Sequence, residues 1–394
     1  MREAVIVSYA RTPIGRAFRG ALNRTPSPSL AGHAIEHAVA RSKISPDQID
    51  DVIVGTVLTA GTGGLNVARQ ALLAAGLPVT VPGQTVDRQC SSGVMAIAMA
   101  AHQVVQEGMN AVVAAGQDSI SLVQNDYFAA IRATMDPAVS ARVPHAYMPM
   151  LETAETVAKR YNISRERQDA FALISQQRTA AAQAAGRLAD EIVPITTQMA
   201  VIDREGKETE RRVTTLSKDE GNRPETSAES LAALRSVIPG GSITAGNASQ
   251  LSDGGAACVV VERSFAEKNN LPILGVYRGM AVAGCAPEEM GIGPIYAIPK
   301  LLARHGLNID DIGLWELNEA FACQALYCME HLGIDHARLN VNGGAISIGH
   351  PYGMTGVRTA GHALLEGRRR GAKYVIATMC VGGGMGAAAL FETA

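Results

Sequence analysis

Cys90 is the first residue whose type and position predict chemistry. It lies in Val-Asp-Arg-Gln-Cys-Ser-Ser-Gly (residues 86–93), between the end of a predicted strand and an apolar run with helical spacing at residues 94–105. We expect a helix to begin near Cys90, where unpaired backbone N–H groups and the helix dipole lower a thiol pKa below its free value of about 8.5. A thiolate there is a nucleophile. The alternative, which this segment alone favours, is a small buried hydrophobic residue.

Two glycine-rich segments near the C-terminus add further reactive side chains. Residues 342–356 place glycines on both sides of His350, and Cys380 is followed directly by the glycine-rich residues 381–386. Because glycine lets backbone approach a ligand closely, both segments are expected to line a binding site. A third segment, residues 318–322, begins with Asn-Glu and follows a short apolar run.

These segments together resemble the thiolase family, and the resemblance extends over nearly the whole chain. Residues 242–254 and 290–294 are similar to further family segments, in the expected order. The resemblance implies an α/β protein with the thiolase fold, in which two similar α/β halves form a layered αβαβα core with an inserted loop domain.

The resemblance also implies a role for each candidate catalytic residue. Cys90 is acylated, His350 activates it, and Cys380 is the acid or base that serves the second substrate. Asn318 holds a water that forms one oxyanion hole with His350, and the N–H groups of Cys90 and Gly382 form the other. These groups suit a thioester, whose carbonyl requires a soft nucleophile, a proton acceptor and donors aimed at the developing oxyanion.

Each candidate also has a purely structural alternative. His350 could satisfy a loop carbonyl, and Cys380 could be a core residue at the end of an apolar strand. Asn318 could cap a helix that begins at Glu319, which is a common use of asparagine. The surrounding glycines and the resemblance favour the catalytic roles of His350 and Cys380.

Five further residues match family positions that contact substrate. Met150, Ser249 and Phe321 match positions that line the acyl or pantetheine path. Arg223 and Ser230 fall where family members meet the CoA nucleotide, although an arginine in a charged stretch is commonly just solvated. Cys258, Cys285, Cys323 and Cys328 are interpreted as packing residues.

Composition limits the partners and the cellular location. A net charge of -2 gives no electrostatic support for nucleic-acid binding, and no apolar run approaches the roughly 20 residues of a membrane span. The six cysteines contain no CxxC pair. We recognise no signal peptide and predict a cytoplasmic protein that needs no metal or redox cofactor. Its partners are acyl-CoA and CoA, both as substrates, and the resemblance implies a homotetramer or homodimer.

Alternating strand and helix patterns argue for an α/β fold and an internal repeat. The order of strand end, glycine turn, helix and buried strand at 86–115 recurs at 341–377, so two such units could bring their strand-to-helix turns together. Between them, helical residues 152–186 break at 162–164, and the charged residues 203–229 read as part of a lid, with a solvated linker as the alternative for 203–222. We predict an N-terminal half (residues 1–118 and 249–270), a loop domain (119–248) and a C-terminal half (271–394).

The predicted reaction is CoA-dependent thiolytic cleavage of 3-ketoacyl-CoA, with Claisen condensation as its reverse. Residues 88–93, 249–253 and 271–276 are more similar to degradative than to biosynthetic thiolases, and the His-Met-Gly run of biosynthetic members is absent before residues 152–155. The alternatives are an acetoacetyl-CoA thiolase in biosynthesis, a decarboxylating ketoacyl synthase, or a non-catalytic acyl-CoA-binding protein.

Overall fold

A computed structural model describes residues 2–394. Its strands are β1 (Ala4–Arg11), β2 (Gly15–Arg16), β3 (Asp51–Gly55), β4 (Gly83–Val86), β5 (Ala111–Asp118), β6 (Ile195–Ile202), β7 (Glu208–Leu216), β8 (Ser252–Glu262), β9 (Gly275–Gly284), β10 (Ile312–Leu317), β11 (Tyr374–Val381) and β12 (Met385–Thr393). Its helices are α1 (Ser27–Ser42), α2 (Val67–Ala74), α3 (Ser92–Gln106), α4 (Ile120–Ala133), α5 (Pro137–Arg142), α6 (Met150–Arg160), α7 (Arg165–Ala184), α8 (Ala228–Ala232), α9 (Arg263–Lys268), α10 (Pro294–His305), α11 (Ala322–Leu332), α12 (Ala345–Ile348) and α13 (Tyr352–Arg370).

The main sheet consists of two similar groups of strands. Its order is β10-β11-β12-β9-β1-β8-β5-β3-β4, with β2 paired to β8. The two groups meet where β1 pairs with β9 over only two residue pairs, Val5 with Val276 and Ile6 with Gly275. Outward from this junction, β9, β12, β11 and β10 repeat the order and the strand directions of β1, β8, β5 and β3. The internal repeat expected from the sequence is therefore present.

Helices α3 and α13 pack against each other in the middle of the molecule. Alternate residues of β5 show the layering, because successive side chains of a strand point to opposite faces. Val112 and Ala114 belong to the core that contains α3 and α13, whereas Val113 and Ala115 belong to the core beneath α1 and α2. On the other side, α10 and α11 cover the second group of strands. The result is the five-layered αβαβα arrangement of the thiolase fold.

The predicted break in the inserted helices is observed between α6 and α7. Ser164 is the N-cap of α7, and its hydroxyl accepts a hydrogen bond from the backbone N–H of Arg167 at 3.4 Å. This pairing satisfies one of the free N–H groups that every helix start exposes.

The charged stretch after α7 is more ordered than a solvated linker. Strands β6 and β7 form an antiparallel hairpin whose turn contains Gly206 at a φ of +82°. Asn23 holds this hairpin to the N-terminal group, because its amide exchanges two hydrogen bonds with the backbone of Ala200, of 2.9 and 3.0 Å. The linker interpretation is therefore wrong for residues 208–216, which form a surface strand with mostly exposed polar side chains.

The three-part division of the chain into 1–118 with 249–270, 119–248 and 271–394 stays a prediction. Within residues 2–394, no helix combines the length and the apolar composition that crossing a bilayer requires.

Candidate active site

Cys90 lies in the turn between β4 and α3, two residues before the helix begins. Gln89, just before it, has a left-handed φ of +46°. The turn is held by Ser92, whose hydroxyl accepts from the N–H of Arg88 at 2.8 Å and donates to the carbonyl of Gln89 at 2.6 Å. The cysteine is thus presented by a hydrogen-bonded turn and not by the first turn of the helix.

The expectation of a lowered thiol pKa at Cys90 is wrong. Burial raises the pKa of Cys90 to about 11, although hydrogen bonds from the N–H groups of Gly382 and of Cys90 itself act in the opposite direction. The charges of Asp118 and Asp87 raise it further. By surface exposure Cys90 is only partly buried, yet enough protein surrounds the sulfur for desolvation to dominate. The thiol is therefore protonated near neutral pH and needs a base before it can attack.

His350 is buried, and each of its two ring nitrogens has a polar neighbour within hydrogen-bond distance. Nδ1 lies 2.6 Å from Thr355 Oγ1, and Nε2 lies 3.3 Å from the Asn318 amide nitrogen. Thr355 donates its own hydroxyl proton to the carbonyl of Pro351 at 2.9 Å, so it accepts from Nδ1–H. This arrangement leaves the lone pair on Nε2. Burial, assisted by the charge of Arg358, lowers the pKa of His350 to about 3, so the imidazole is neutral near pH 7 and its Nε2 lone pair faces the Asn318 amide N–H.

Asn318 lies directly after β10, and its backbone N–H donates to the carbonyl of Thr378 at 2.9 Å. Its side-chain Nδ2 faces His350, and its buried Oδ1 has no hydrogen-bond partner among residues 2–394. The helix-cap alternative is wrong, because α11 begins at Ala322 with Phe321 as its N-cap. The side chain of Asn318 is thus available for a function other than capping.

Cys380 lies near the end of β11, opposite Gly386 of β12, and is fully buried. Burial raises its pKa well above the usual thiol range, and the nearby Cys90 adds to the rise. The turn that follows contains Gly383 and Gly384 at φ values of +84° and +85°, a left-handed conformation that favours glycine. This turn lies beside the segment of Cys90, because a Cβ atom on Gly382 would lie 3.3 Å from Gln89 Oε1.

Glycines allow the segments of Cys90 and His350 to come together where α3 and α13 cross. A Cβ atom on Gly93 would lie 2.3 Å from the carbonyl oxygen of Gly353, and one on Gly356 would lie 2.2 Å from the backbone nitrogen of Val94. A Cβ on Gly116 would lie 2.0 Å from the same Gly353 oxygen. Only residues without a side chain permit this crossing.

Three of the predicted substrate residues lie on connected segments. The N–H of Ser249 donates to the carbonyl of Ala320 at 2.9 Å, next to the buried Phe321. Met150, 40% exposed, is the first residue of α6, which packs against α11. Arg223 and Ser230 are both exposed, and the hydrogen bonds they make stay within the insertion.

Thr355 and Asp118 were missed by the sequence analysis. Thr355 follows His350 by five residues, and Pro351 between them marks the start of a helix, so the first turn of that helix was a place to look for an orienting hydroxyl. Asp118 ends β5, just after Gln117 and the apolar run that precedes it, and a buried strand that ends in polar residues is a recognisable signal.

A protonated thiol, a neutral imidazole and a second buried thiol fit an enzyme that transfers acyl groups through cysteine. The chain matches the model of the thiolase N-terminal domain over residues 4–264 and that of the C-terminal domain over residues 271–393. It belongs to the thiolase family, which confirms the resemblance noted in the sequence. Residues 2–394 contain no group of three or more His, Cys, Asp or Glu side chains suited to a metal ion.

Close relatives share the full length of the chain. It is 44% identical over 393 residues to the 3-ketoacyl-CoA thiolase of Bacillus subtilis (strain 168), with 100% of both chains covered. The crystal structure of the Bacillus anthracis acetyl-CoA acetyltransferase matches with a TM-score of 0.90 at 37% identity, covering 100% of this chain and 99% of that one. The dimeric peroxisomal thiolase of Saccharomyces cerevisiae matches with a TM-score of 0.88 at 37% identity, covering 100% and 97%.

Proposed function

We propose that this protein cleaves 3-ketoacyl-CoA with CoA to give acetyl-CoA and a shortened acyl-CoA, and that it catalyses the reverse Claisen condensation. The observation that carries the proposal is the close approach of two segments: a Cβ atom on Gly382 would lie 3.3 Å from Oε1 of Gln89, the residue next to Cys90. This approach brings the nucleophile segment of one half to the turn that follows Cys380 in the other half.

The first step is acylation of Cys90. His350 Nε2 takes the thiol proton while the sulfur attacks the 3-keto carbon, and the carbonyl oxygen becomes negative. The bond between C2 and C3 then breaks, leaving an acyl group on Cys90 and the enolate of acetyl-CoA. Cys380 gives its thiol proton to C2 of that enolate, which completes acetyl-CoA.

The second step returns the enzyme to its starting state. The Cys380 thiolate accepts the proton of the incoming CoA thiol, and the CoA sulfur attacks the acyl carbon. The bond from that carbon to Cys90 breaks, and the imidazolium of His350 returns its proton to the departing sulfur. Every proton and electron pair is recovered, so the cycle needs no other co-reactant.

Two sets of donors stabilise the negative oxygens of these steps. The N–H groups of Cys90 and Gly382 serve the oxygen of the acyl group, as the resemblance to thiolases implies. Asn318 Oδ1 accepts from a water that, with His350, serves the thioester oxygen of the enolate. Donors held in place before the reaction are commonly the largest single contribution to such catalysis.

Substrate contacts follow from the same arrangement. Met150, Ser249 and Phe321 line the path of the acyl chain and pantetheine, and this assignment is supported by the packing of α6 on α11. Arg223 and Ser230 meet the CoA nucleotide at the exposed surface of the insertion. The Arg223 guanidinium forms no ion pair within residues 2–394, which leaves its charge available for phosphate.

We also propose a homodimer in solution, with a homotetramer as the larger alternative. Strand β4 is an edge strand with a single neighbour, β3. Leu65 and Val79, which flank α2 beside it, are 95% and 75% exposed. Unpaired edges and exposed apolar side chains mark surfaces that bind a partner. Light scattering tests this state, and cell fractionation tests the cytoplasmic location, which stays a prediction.

Cys380→Ser tests the assignment of the two cysteines. The variant should form acyl-Cys90, detectable by mass spectrometry of the trapped intermediate, while thiolysis falls by at least about 10²-fold because the acid and base is lost. Cys328→Ser is the matched control, since Cys328 is an equally buried cysteine that donates to the carbonyl of Gly291 at 3.4 Å. Full thiolysis by Cys380→Ser would contradict the proposal.

The substrate class is tested on the wild-type enzyme. CoA-dependent cleavage should be measured over a series of 3-ketoacyl-CoA chain lengths, beginning with acetoacetyl-CoA. Turnover on longer chains supports the degradative assignment, whereas turnover on acetoacetyl-CoA alone would favour the biosynthetic enzyme. Decarboxylation of malonyl thioesters without thiolysis would identify a ketoacyl synthase, and binding without turnover a non-catalytic protein.

A further inference from the structure

Asp118 is a fully buried carboxylate that the mechanism above does not use. It ends β5, and both of its oxygens accept hydrogen bonds. Oδ1 accepts from Thr56 Oγ1 at 2.9 Å, from the N–H of Leu58 at 3.0 Å and from the N–H of Val57 at 3.2 Å. Oδ2 accepts from the N–H of Gly353 at 2.6 Å and shares the N–H of Val57 at 3.2 Å. One side chain therefore holds two segments that are far apart in the chain.

The first segment supports the turn that carries Cys90. The backbone N–H of Thr56 donates to the carbonyl of Val86 at 3.1 Å, at the end of β4. The Thr56 carbonyl oxygen lies 3.4 Å from Ser92 Oγ, and Ser92 is the residue that closes the Cys90 turn. Gly55, one residue earlier, lies so close to α3 that a Cβ there would be 2.3 Å from the carbonyl carbon of Ser92.

The second segment supports His350. Gly353 is three residues after His350, in the first turn of α13, and its carbonyl oxygen lies at the crossing of α3 and α13. The same turn contains Thr355, which accepts the hydrogen bond from the imidazole. A change in the position of Gly353 would therefore move the base relative to the thiol.

We propose that Asp118 is a positioning residue that sets the spacing between the Cys90 thiol and the His350 imidazole. It acts by joining the backbone that supports the nucleophile in one half to the backbone that supports the base in the other half. The inference rests on the proposed function for its effect on turnover, but its effect on the reactivity of Cys90 can be measured without substrate.

The ionised form of Asp118 is the one that fits four donors. Burial raises its pKa to about 6, although the four hydrogen bonds lower it, so the carboxylate is charged near neutral pH. A proton on either oxygen would replace a lone pair that a donor now uses. Replacement by asparagine would turn an N–H₂ group toward backbone N–H groups, leaving at least one buried donor unpaired.

The test is a double-mutant cycle that reads the alkylation of Cys90 by iodoacetamide. Rates are measured at pH 7.5 by mass spectrometry for the wild type, Asp118→Asn, His350→Ala and the double variant. If Asp118 acts through His350, loss of the imidazole slows alkylation in the wild type but changes it little once Asp118 is replaced. The charge of Asp118 also raises the pKa of Cys90, and this direct effect cancels because it is present with and without His350.

Turnover provides the second measurement. Asp118→Asn should lower kcat by roughly 10- to 100-fold with little change in KM, because a misplacement of about 1 Å can cost about 10²-fold while binding persists. Asp51→Asn is the matched control: Asp51 is a buried carboxylate in the same half that accepts from Gln103 Nε2 at 2.8 Å, well away from the turn of Cys90. This control should keep the kcat of the folded wild type.

A milder variant covers the case in which Asp118→Asn does not fold. Thr56→Val removes one of the four donors to Asp118, together with the acceptor that Gln117 Nε2 uses at 3.0 Å, and it should lower kcat in the same direction but less. Two outcomes would overturn the inference. One is that the effects of Asp118→Asn and His350→Ala on the alkylation rate are additive. The other is that Asp118→Asn folds and keeps the wild-type kcat. If the wild type cleaved no 3-ketoacyl-CoA, the function would fail while the alkylation cycle still decided the role of Asp118.

Discussion

The imidazole Nδ1 of His350 and the hydroxyl of Thr355 are 2.6 Å apart, and the hydroxyl is itself bonded to the carbonyl of Pro351. Thr355→Val removes the acceptor that keeps the proton on Nδ1. We expect kcat to fall roughly tenfold to a hundredfold, less than the 10²–10⁴ that a general base supplies, with KM nearly unchanged. Steady-state thiolysis measures this change.

Thr359→Val is the control for that substitution. Thr359 is buried in the same helix, but its hydroxyl donates only to the carbonyls of Thr355 and Gly356. Its kcat should stay within about twofold of the wild type, since helix back-bonding of this kind contributes little. Equal losses in the two variants would contradict the orienting role of Thr355.

Once His350 is replaced by alanine, alkylation of Cys90 should accelerate with pH well beyond neutrality, because only the free thiolate then reacts. Burial raises the thiol pKa to about 11, so the thiolate fraction grows about tenfold for each pH unit between 7 and 9. In the wild type the pKa of His350 is about 3, so the imidazole is neutral over this range and its assistance should make the rate depend on pH less steeply. A plateau below pH 8.5 in the iodoacetamide rate of His350→Ala would show that the thiol is already ionised.

Gly93→Ala should separate α3 from α13. The new methyl group would lie 2.3 Å from the carbonyl of Gly353, so backbone must shift at the point where the two halves meet. We expect a loss of about 1–3 kcal/mol in the free energy of unfolding and a larger proportional loss of kcat. Denaturant unfolding and thiolysis are the measurements. Gly64→Ala, whose methyl would meet only a contact of 3.4 Å, should change neither.

Glu191 joins Arg11 of β1 to His362 of α13, with contacts of 2.8 and 2.9 Å, and all three are buried. Burial raises its pKa, but Arg11 and His362 together lower it to about 2. Its folded pKa is below the unfolded value, so its stabilisation is present above about pH 4.5 and is lost as pH falls toward 2. Glu191→Gln should cost about 3–5 kcal/mol at pH 7 by leaving Arg11 less compensated, and it should flatten the acid limb of the stability profile. Chemical denaturation between pH 3 and 7 measures both effects.

Local patterns made the α/β class and the internal repeat predictable, whereas the layered αβαβα arrangement was implied by the resemblance to thiolases. The strand, turn and helix around Cys90 and around His350 follow from apolar spacing and glycine position within about 25 residues, which is the range that such patterns report. The break before Ser164 was predictable for the same reason, because its cap is a contact three residues away.

Long-range features were not predictable from the residues alone. The pKa of Cys90 is raised by burial, which depends on segments far away in the sequence, so the local argument from the helix start had the wrong sign. The hairpin of β6 and β7 is held by Asn23, a distant residue in the sequence. Its polar side chains have the composition of a solvated linker, so the sequence did not indicate strands there. The roles of Thr355 and Asp118 depend on which backbone groups they meet after folding.

Because α3 and α13 come from different halves and cross beside the active site, we expect the site to form only after both halves have docked. A chain that lacked residues 345–382 would still contain Cys90, but without imidazole, partner thiol or the N–H of Gly382 it would hold an unactivated thiol. We therefore expect truncated or partly folded copies to be unreactive toward thioesters. Activity recovered during refolding should appear only after the two halves have docked, so its rate measures the docking step.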